Sequence, residues 1–496
     1  MTQYEKLVKL KSRIADLSGA ASLLGWDQET YMPKKGGAFR ARQLSTLEGL
    51  AHEYFTSNEM EQTLHTLSSD SDLSTKQKKN VEITKKDFDK LKKIPNEFVI
   101  KQRNQISVCF EKWIEAREKN DFAIYAVELK KLVAFKREEA ALLDSSKHPY
   151  DTLLEQYEEE NTIERLDILF AGVRTRLKPL LDKIKNAEKP NTDFLKVEYK
   201  KDAQWAFGIA LLNKLGFDFN RGRQDIVVHP FCTSLSPDDT RITTHVNEHN
   251  MPSMVWSTIH ECGHALYEQG LPSKEYGMPL GQAISLSVHE SQSRLWENNI
   301  CRSLGFWEAN WPLVLAHFND QLQTVKVTDF YKAINTVTPS LVRIEADELT
   351  YHFHIMIRYE IEKALIGGEI ETEDIPALWN KKYKQYLDID VPDDLKGCLQ
   401  DVHWSHGLFG YFPTYSQGSF MAAQWLAFAL KQVHSLKNDL EIGNAENLLL
   451  WLRENIHQHG KLYTSKQLCE KVTGEPLNFD YFMEYVEAKY STIYNL

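Results

Sequence analysis

Apolar residues recur every three or four positions along most of this 496-residue chain, the period of amphipathic helices. Residues 4–24 place Leu7, Leu10, Ile14, Leu17 and Leu24 at that spacing. Residues 79–145 are rich in lysine and glutamate, with apolar residues at the same interval, which predicts long helices with one buried stripe. The C-terminal stretch from MAAQWLAFALKQV (421–433) to FMEYVEAKYSTIY (482–494) reads the same way. The acidic run EQYEEENT (155–162) reads as a solvated helix end or turn.

One region breaks the period. DIVVHPF (225–231) and TRITTHV (240–246) are short, β-branched and roughly alternating, with the turn residues of SLSPDD (234–239) between them. That is a strand–turn–strand pattern and predicts a small antiparallel sheet. NMPSMVWSTIHECGHALYEQGLP follows. Pro252 suits a first helical turn, and Gly270 and Pro272 suit its end. No linker-like stretch interrupts the chain. The expected architecture is one mainly α domain over residues 1–496, with two lobes around a cleft and the small sheet beside it.

The helix after the sheet carries the chemistry. His260 and His264 are four apart and so share a face, with Cβ atoms about 5–6 Å apart. They can offer two imidazole nitrogens to one ion. Glu261 is turned about 100° from His260 and can reach a water on the ion without becoming a ligand. A metal hydrolase needs that pair of roles, an ion that acidifies water and a carboxylate that takes the proton. Small Gly263 and Ala265 let neighbours approach. A catalytic zinc site wants a third protein ligand and an open position. GQAISLSVHESQSRLWENN (281–299) reads as a helix carrying Glu290 and Glu297, seven apart and on similar faces. Either can be the third ligand on spacing alone, with Glu290 favoured by its small, hydroxylated neighbours. Glu275 lies in the intervening loop. His289 points elsewhere and reads as a core histidine or one that supports the site from behind. Cys262 reads as a small buried residue.

Composition narrows the rest. The formal net charge is −11, which disfavours nucleic acid and anionic membranes as partners. Six scattered cysteines form no CxxC pair and argue against a disulfide framework. The N-terminus mixes lysines through its apolar positions, unlike a signal peptide. The longest apolar run, AAQWLAFAL (422–430), is about half of what spans a bilayer. The expected address is the cytoplasm.

Six short motifs then occur in order: HPF at 229–231, DTRIT at 239–243, HECGH at 260–264, HESQ at 289–292, VRIEAD at 342–347 and GCLQDVHW at 397–404. With LLGWDQETYMP at 23–33, the sequence resembles the carboxypeptidase Taq-type metallocarboxypeptidases. The resemblance implies a zinc enzyme that removes single C-terminal residues from peptides. It implies a helical fold similar to neurolysin and angiotensin-converting enzyme, with a deep cleft. It makes Glu290 the third ligand, and it implies a homodimer and activation by Co²⁺ in some members.

An exopeptidase must bind a free carboxylate, best done by the fork of an arginine. Arg343 is the first candidate, with Asp347 four residues on to orient it, followed by Arg241 and Arg358. Asp239 and Arg241 are two apart, so both can face one side of a strand. They read as a structural pair or as an Asp–Arg unit orienting a ligand histidine. HWSHGLFGYFPTYSQGS (403–419) is glycine-rich and reads as a loop. Its His403, His406, Tyr411 and Tyr415 are candidates to bind substrate or to stabilise an oxyanion. His229 reads as a residue near the substrate terminus or a cap on the sheet. The strand near 240–246 is expected to pair with the substrate backbone. The rivals are an oligopeptidase or dipeptidyl carboxypeptidase on the same scaffold, and a helical protein without activity. The intact His260, Glu261 and His264 argue against the last.

Overall fold

The computed structural model describes residues 1–496 and builds the expected helices around one small sheet. Helix Gln3–Thr30 opens on a capping box, in which Thr2 accepts from the Glu5 amide and Glu5 accepts from the Thr2 amide. It pairs with Gly37–Phe55 as an N-terminal hairpin. The lysine-rich segment becomes three helices, Thr75–Lys92, Asn96–Lys119 and Ala123–Asp144. Their breaks fall where the chemistry requires them. Ser74 and Gln77 make a second capping box, Pro95 precedes the next helix, and Asn120 ends it in the left-handed region at φ 52°.

The buried apolar residues form two large cores. One gathers 49 residues from the segments around 109–184, 337–423 and 479–494. The other gathers 43 from around 195–334 and 421–469. Helix Pro413–Gln432 belongs to both: Phe420 and Ala423 enter the first core, and Met421, Ala422, Trp425 and Ala429 enter the second. The chain thus crosses between the cores several times, and this helix is their common wall.

The sheet differs from the hairpin that local turn signals suggest. Its strands are β1 (Gly222–Ile226), β2 (Cys232–Ser236) and β3 (Asp239–Thr244), in the order β1-β3-β2. β1 runs parallel to β3, and β2 runs antiparallel to it. Part of the expected turn, residues 234–236, is strand, and the HPF triplet is the crossing from β1 to β2. β3 is therefore central and paired on both sides, so it cannot add a substrate strand. The sheet is pinned to the next helix, Met251–Glu268, by a hydroxyl chain in which Thr258 donates to Thr244 at 2.9 Å and Thr244 lies 2.8 Å from Ser257.

The acidic run at 155–162 is also less solvated than its composition suggests. Glu158 and Asn161 are buried, and Glu158 accepts the Ser285 hydroxyl at 2.8 Å while Asn161 exchanges amide hydrogen bonds with Gln417.

Two glycines set the packing of helix Leu286–Arg294. A Cβ on Gly263 would stand 2.5 Å from Ser293 Cα and 2.7 Å from the Gln292 carbonyl. A Cβ on Gly418 would stand 2.6 Å from Glu290 Cβ. Only glycine lets both flanking helices come so close. Beyond Arg294 the helix continues as a π turn, Leu295–Ile300, a local widening often found at functional sites.

Two outcomes are expected. Gly263→Ala should lose about 1–3 kcal/mol of stability through overpacking against backbone, read as a fall in Tm with a parallel loss of bound metal. The second outcome concerns His352, which is buried between Phe420 and Phe482 and bonded to Ser416 Oγ at 3.0 Å. Burial pulls its pKa down to about 3. Its folded value thus lies below the unfolded value of about 6.5, so its contribution is full above that pH and is lost as pH falls toward 3. The loss runs at about 1.4 kcal/mol per pH unit. The Tm of His352→Gln should fall less steeply than wild type between pH 7 and pH 5, and an identical slope would refute this.

Candidate metal and active site

His260, Glu261 and His264 lie on helix Met251–Glu268, and Glu290 faces them from helix Leu286–Arg294. The ligand atoms of His260, His264 and Glu290 all lie within 4.8 Å of one another. Glu290 Oε2 is 3.8 Å from His260 Nε2 and 3.6 Å from His264 Nε2. A divalent ion bound tetrahedrally at about 2.0–2.2 Å needs donor–donor edges of about 3.3–3.6 Å. The three residues fit such an ion with small adjustments.

The rear nitrogens of both imidazoles are engaged, which turns each Nε2 toward the centre. His260 Nδ1 meets Glu297 Oε2 at 2.9 Å. His264 Nδ1 lies 3.1 Å from the His289 carbonyl and 2.6 Å from His289 Nδ1, while His289 Nε2 reaches Glu268 Oε1 at 2.9 Å. In the protonation pattern that satisfies these contacts, Nδ1 of each ligand histidine donates and Nε2 keeps its lone pair. Burial also lowers the His264 pKa well below its ordinary value, so it stands neutral, as a ligand must. Burial pushes Glu261 the other way, to about 7, with the nearby Glu290 charge adding to the rise against the lowering by His260. A carboxylate poised near neutrality suits a general base.

While Glu290 faces the Nε2 atoms, Glu297 thus lies behind His260, against Nδ1. Its own charge is held by Arg294 NH1 and Arg302 NH2, each at 3.3 Å. Sequence spacing placed both glutamates on the site's face but could not divide these roles.

The segment 403–419 is half loop and half helix. His403–His406 is a short 3-10 turn, and the helix beginning at Pro413 already includes Tyr415 and Gly418. Tyr411 and Tyr415 have ring centroids 5.3 Å apart. Burial raises both hydroxyl pKa values, and the Glu290 charge adds to each rise. His403 Nε2 lies 3.3 Å from Tyr415 Oη, and His403 Nδ1 is buried without a partner. His406 turns away and stacks on Phe110 at 4.8 Å between centroids. The loop is tied down by Glu362, which accepts from Trp404 Nε1 at 2.7 Å, the Gly410 amide at 2.8 Å and the Tyr150 hydroxyl at 2.7 Å. No local signal marked Glu362, because its partners are distant in sequence.

Arg343 is buried against Asp401, with Nε at 2.9 Å and NH2 at 2.8 Å, and its NH1 donates to Tyr351 Oη at 3.2 Å. Arg358 holds the other Asp401 oxygen at 2.7 Å. Two guanidiniums therefore share one carboxylate, and the group keeps a net positive charge. Asp347 does not orient Arg343. It accepts from the amides of Thr338, Leu349 and Thr350 and so shapes the turn before helix Tyr351–Gly367.

Asp239 and Arg241 do face one way on β3 and form a two-pronged pair at 2.9 Å per bond. Arg241 lies over the Trp26 ring at 4.4 Å, which ties the N-terminal helix to the sheet. Neither residue bonds a ligand histidine. His229 is exposed on the crossing between β1 and β2, and the sheet contact expected of it is made by His245, whose Nδ1 lies 3.2 Å from the Val227 carbonyl. Edge strand β2 packs against helix Met251–Glu268 and so runs beside the site.

The chain matches the family model described as carboxypeptidase Taq (M32) metallopeptidase over residues 6–490. It is 38% identical over 499 residues to carboxypeptidase 1 of Bacillus subtilis, covering 99% of each. It is 38% identical over 504 residues to thermostable carboxypeptidase 1 of Thermus thermophilus, again covering 99% of each. The crystal structure of the M32 carboxypeptidase from Deinococcus radiodurans R1 superposes with a TM-score of 0.98, at 39% identity and over 100% of both chains.

The orienting role of Glu297 has a direct check. Glu297→Gln should weaken metal binding about 10–100-fold, measured by competition with a chelator. Unchanged affinity would mean that His260 holds its orientation without it.

Proposed function

The chain belongs to the carboxypeptidase Taq (M32) metallopeptidase family and is a metallocarboxypeptidase, and we propose that it removes single residues from the free C-terminal ends of short peptides at a Zn²⁺ site. The observation that carries this reading is the convergence of His260, His264 and Glu290 with Glu261 beside them. A donor set of two imidazoles and one carboxylate with an open position suits Zn²⁺, and Co²⁺ takes the same geometry. Bound there, the ion supplies Lewis-acid polarisation and acidifies water.

The chain's own residues do the rest. Glu261 accepts the proton from the attacking water at Oε and returns it to the leaving amine. Tyr411 and Tyr415 donate hydroxyl protons toward the oxyanion, and His403 holds Tyr415 in place. His406, stacked on Phe110, plays at most a part in shaping the loop. Arg343 binds the substrate carboxylate, supported by the surplus positive charge it shares with Arg358 around Asp401. Asp239 and Arg241 border the cleft with Trp26, and His229 meets the peptide further out. Edge strand β2, rather than central β3, offers its backbone to the peptide.

The catalytic unit is read as a single domain over residues 1–496, since helix Pro413–Gln432 serves both cores. The homodimer that the family resemblance implies is kept as part of this reading. The six free cysteines suit a cytoplasmic address, and the net charge of −11 disfavours nucleic acid and anionic membranes as partners.

The test pairs N-acetylated peptides with their C-terminal amides, followed by mass spectrometry with and without a chelator. Stepwise loss of single residues from the free acids only, stopped by chelation, is expected. Equal cleavage of acids and amides, or release of dipeptides, would replace this reading with an oligopeptidase or dipeptidyl carboxypeptidase. Glu261→Gln should keep its metal and lose about two to four orders of magnitude in kcat, the scale of general-base catalysis.

A further inference from the structure

Arg294 sits between two carboxylates that serve the metal site in different ways. It lies one helical turn after Glu290, and its Nε donates to Glu290 Oε1 at 2.6 Å. Its NH1 reaches Glu297 Oε2 at 3.3 Å, the same oxygen that accepts from His260 Nδ1. Glu290 Oε2, by contrast, faces the two histidine Nε2 atoms and takes only a long bond from the Ser293 hydroxyl at 3.3 Å. The two oxygens of the third ligand are thus unequal, one committed to a cation and one turned to the ion. The guanidinium has a further contact on the Tyr351 ring, with Cζ 4.5 Å from the centroid, which helps to hold it in place.

A carboxylate left alone beside a divalent ion can bind it through one oxygen or both. Binding through both would fill the position that water and the substrate carbonyl need. We propose that Arg294 is a positioning residue that holds Glu290 to one-oxygen coordination and, through Glu297, locks the orientation of His260 at the same time. The inference rests on the metal-site reading above. It adds a residue outside the ligand set whose loss changes the geometry of the site rather than the identity of its ligands. An ammonium cannot replace it fully, since a single point charge does not span two carboxylates as the planar fork does.

The test is a Co²⁺ titration of the metal-free protein followed by visible absorption, for wild type, Arg294→Met and Arg294→Lys, with circular dichroism to confirm folding. Wild type should show the intense bands of four-coordinate Co²⁺. Both variants should bind Co²⁺ about 10–100-fold more weakly and show weaker bands, as the second oxygen of Glu290 joins the ion and raises its coordination number. The Lys variant keeps the buried charge and preserves the comparison if the Met variant does not fold. Folded variants with unaltered bands and unaltered affinity would overturn the role of Arg294. A wild-type protein that takes up no Co²⁺ at all would instead overturn the metal-site reading beneath it.

Discussion

The site depends on one packing constraint, the backbone-on-backbone approach that holds helix Leu286–Arg294 between its two neighbours. Gly263 meets the backbone at Gln292 and Ser293 on one side, and Gly418 meets Glu290 itself on the other. Those contacts set Glu290 Oε2 at 3.8 Å from His260 Nε2 and 3.6 Å from His264 Nε2. The small residues of this helix follow from the same constraint. Ser287, Ser291 and Ser293 are fully buried, and the Ser291 and Ser293 hydroxyls are satisfied by carbonyls one turn earlier. Longer side chains there would separate the helices and pull Glu290 out of reach.

That close packing forces charge into the interior, and charge must then be paired. Glu290 and Glu297 are both buried, as are Arg343 and Arg358, and the Asp401 side chain is only 10% exposed. Isolated, each would be strongly unfavourable, so the chain supplies Arg294 and Arg302 on the metal side and Arg343 and Arg358 around Asp401. The pairing around Glu297 and Asp401 holds both carboxyls well below the usual range despite their burial. Buried networks of this kind stabilise a fold little compared with apolar packing. Their presence here is better understood through function, since each paired group fixes a ligand or an anchor. At Glu362, where burial outweighs the hydrogen bonds from Gly410, Tyr150 and Trp404, the carboxyl instead rises to about 7.

The features legible in the sequence were those encoded locally. The four-residue spacing of His260 and His264, the helical period and the strand-forming residues before the motif each state their structure within one element. What escaped was encoded between elements. Glu290 and Glu297 share a face, and only the three-dimensional arrangement turns one toward the two histidine Nε2 atoms and the other toward His260 Nδ1. Asp347 stands four residues from Arg343 in sequence, yet Asp401 is its partner, 58 residues away. Turn residues at 234–239 suggested a hairpin, and one forms between β2 and β3, but the expected first strand lies as β1 in parallel with β3, a register that no local turn can specify. Glycines at 407, 410 and 418 all read as loop, although Gly418 lies inside a helix and is there for close approach.

The two charged networks meet at Tyr351. Arg294 lies on its face, and Arg343 NH1 donates to its hydroxyl. The residue begins helix Tyr351–Gly367, whose preceding turn is fixed by Asp347. One buried aromatic ring therefore spaces the guanidinium behind the third ligand from the guanidinium of the candidate carboxylate anchor. An exopeptidase has to keep its anchor and its reacting centre one residue apart, and the distance has to hold whichever side chain occupies the last position of the substrate. A ring held on its face and at its tip by two cations meets that requirement better than a flexible loop, because neither network can shift without displacing the other.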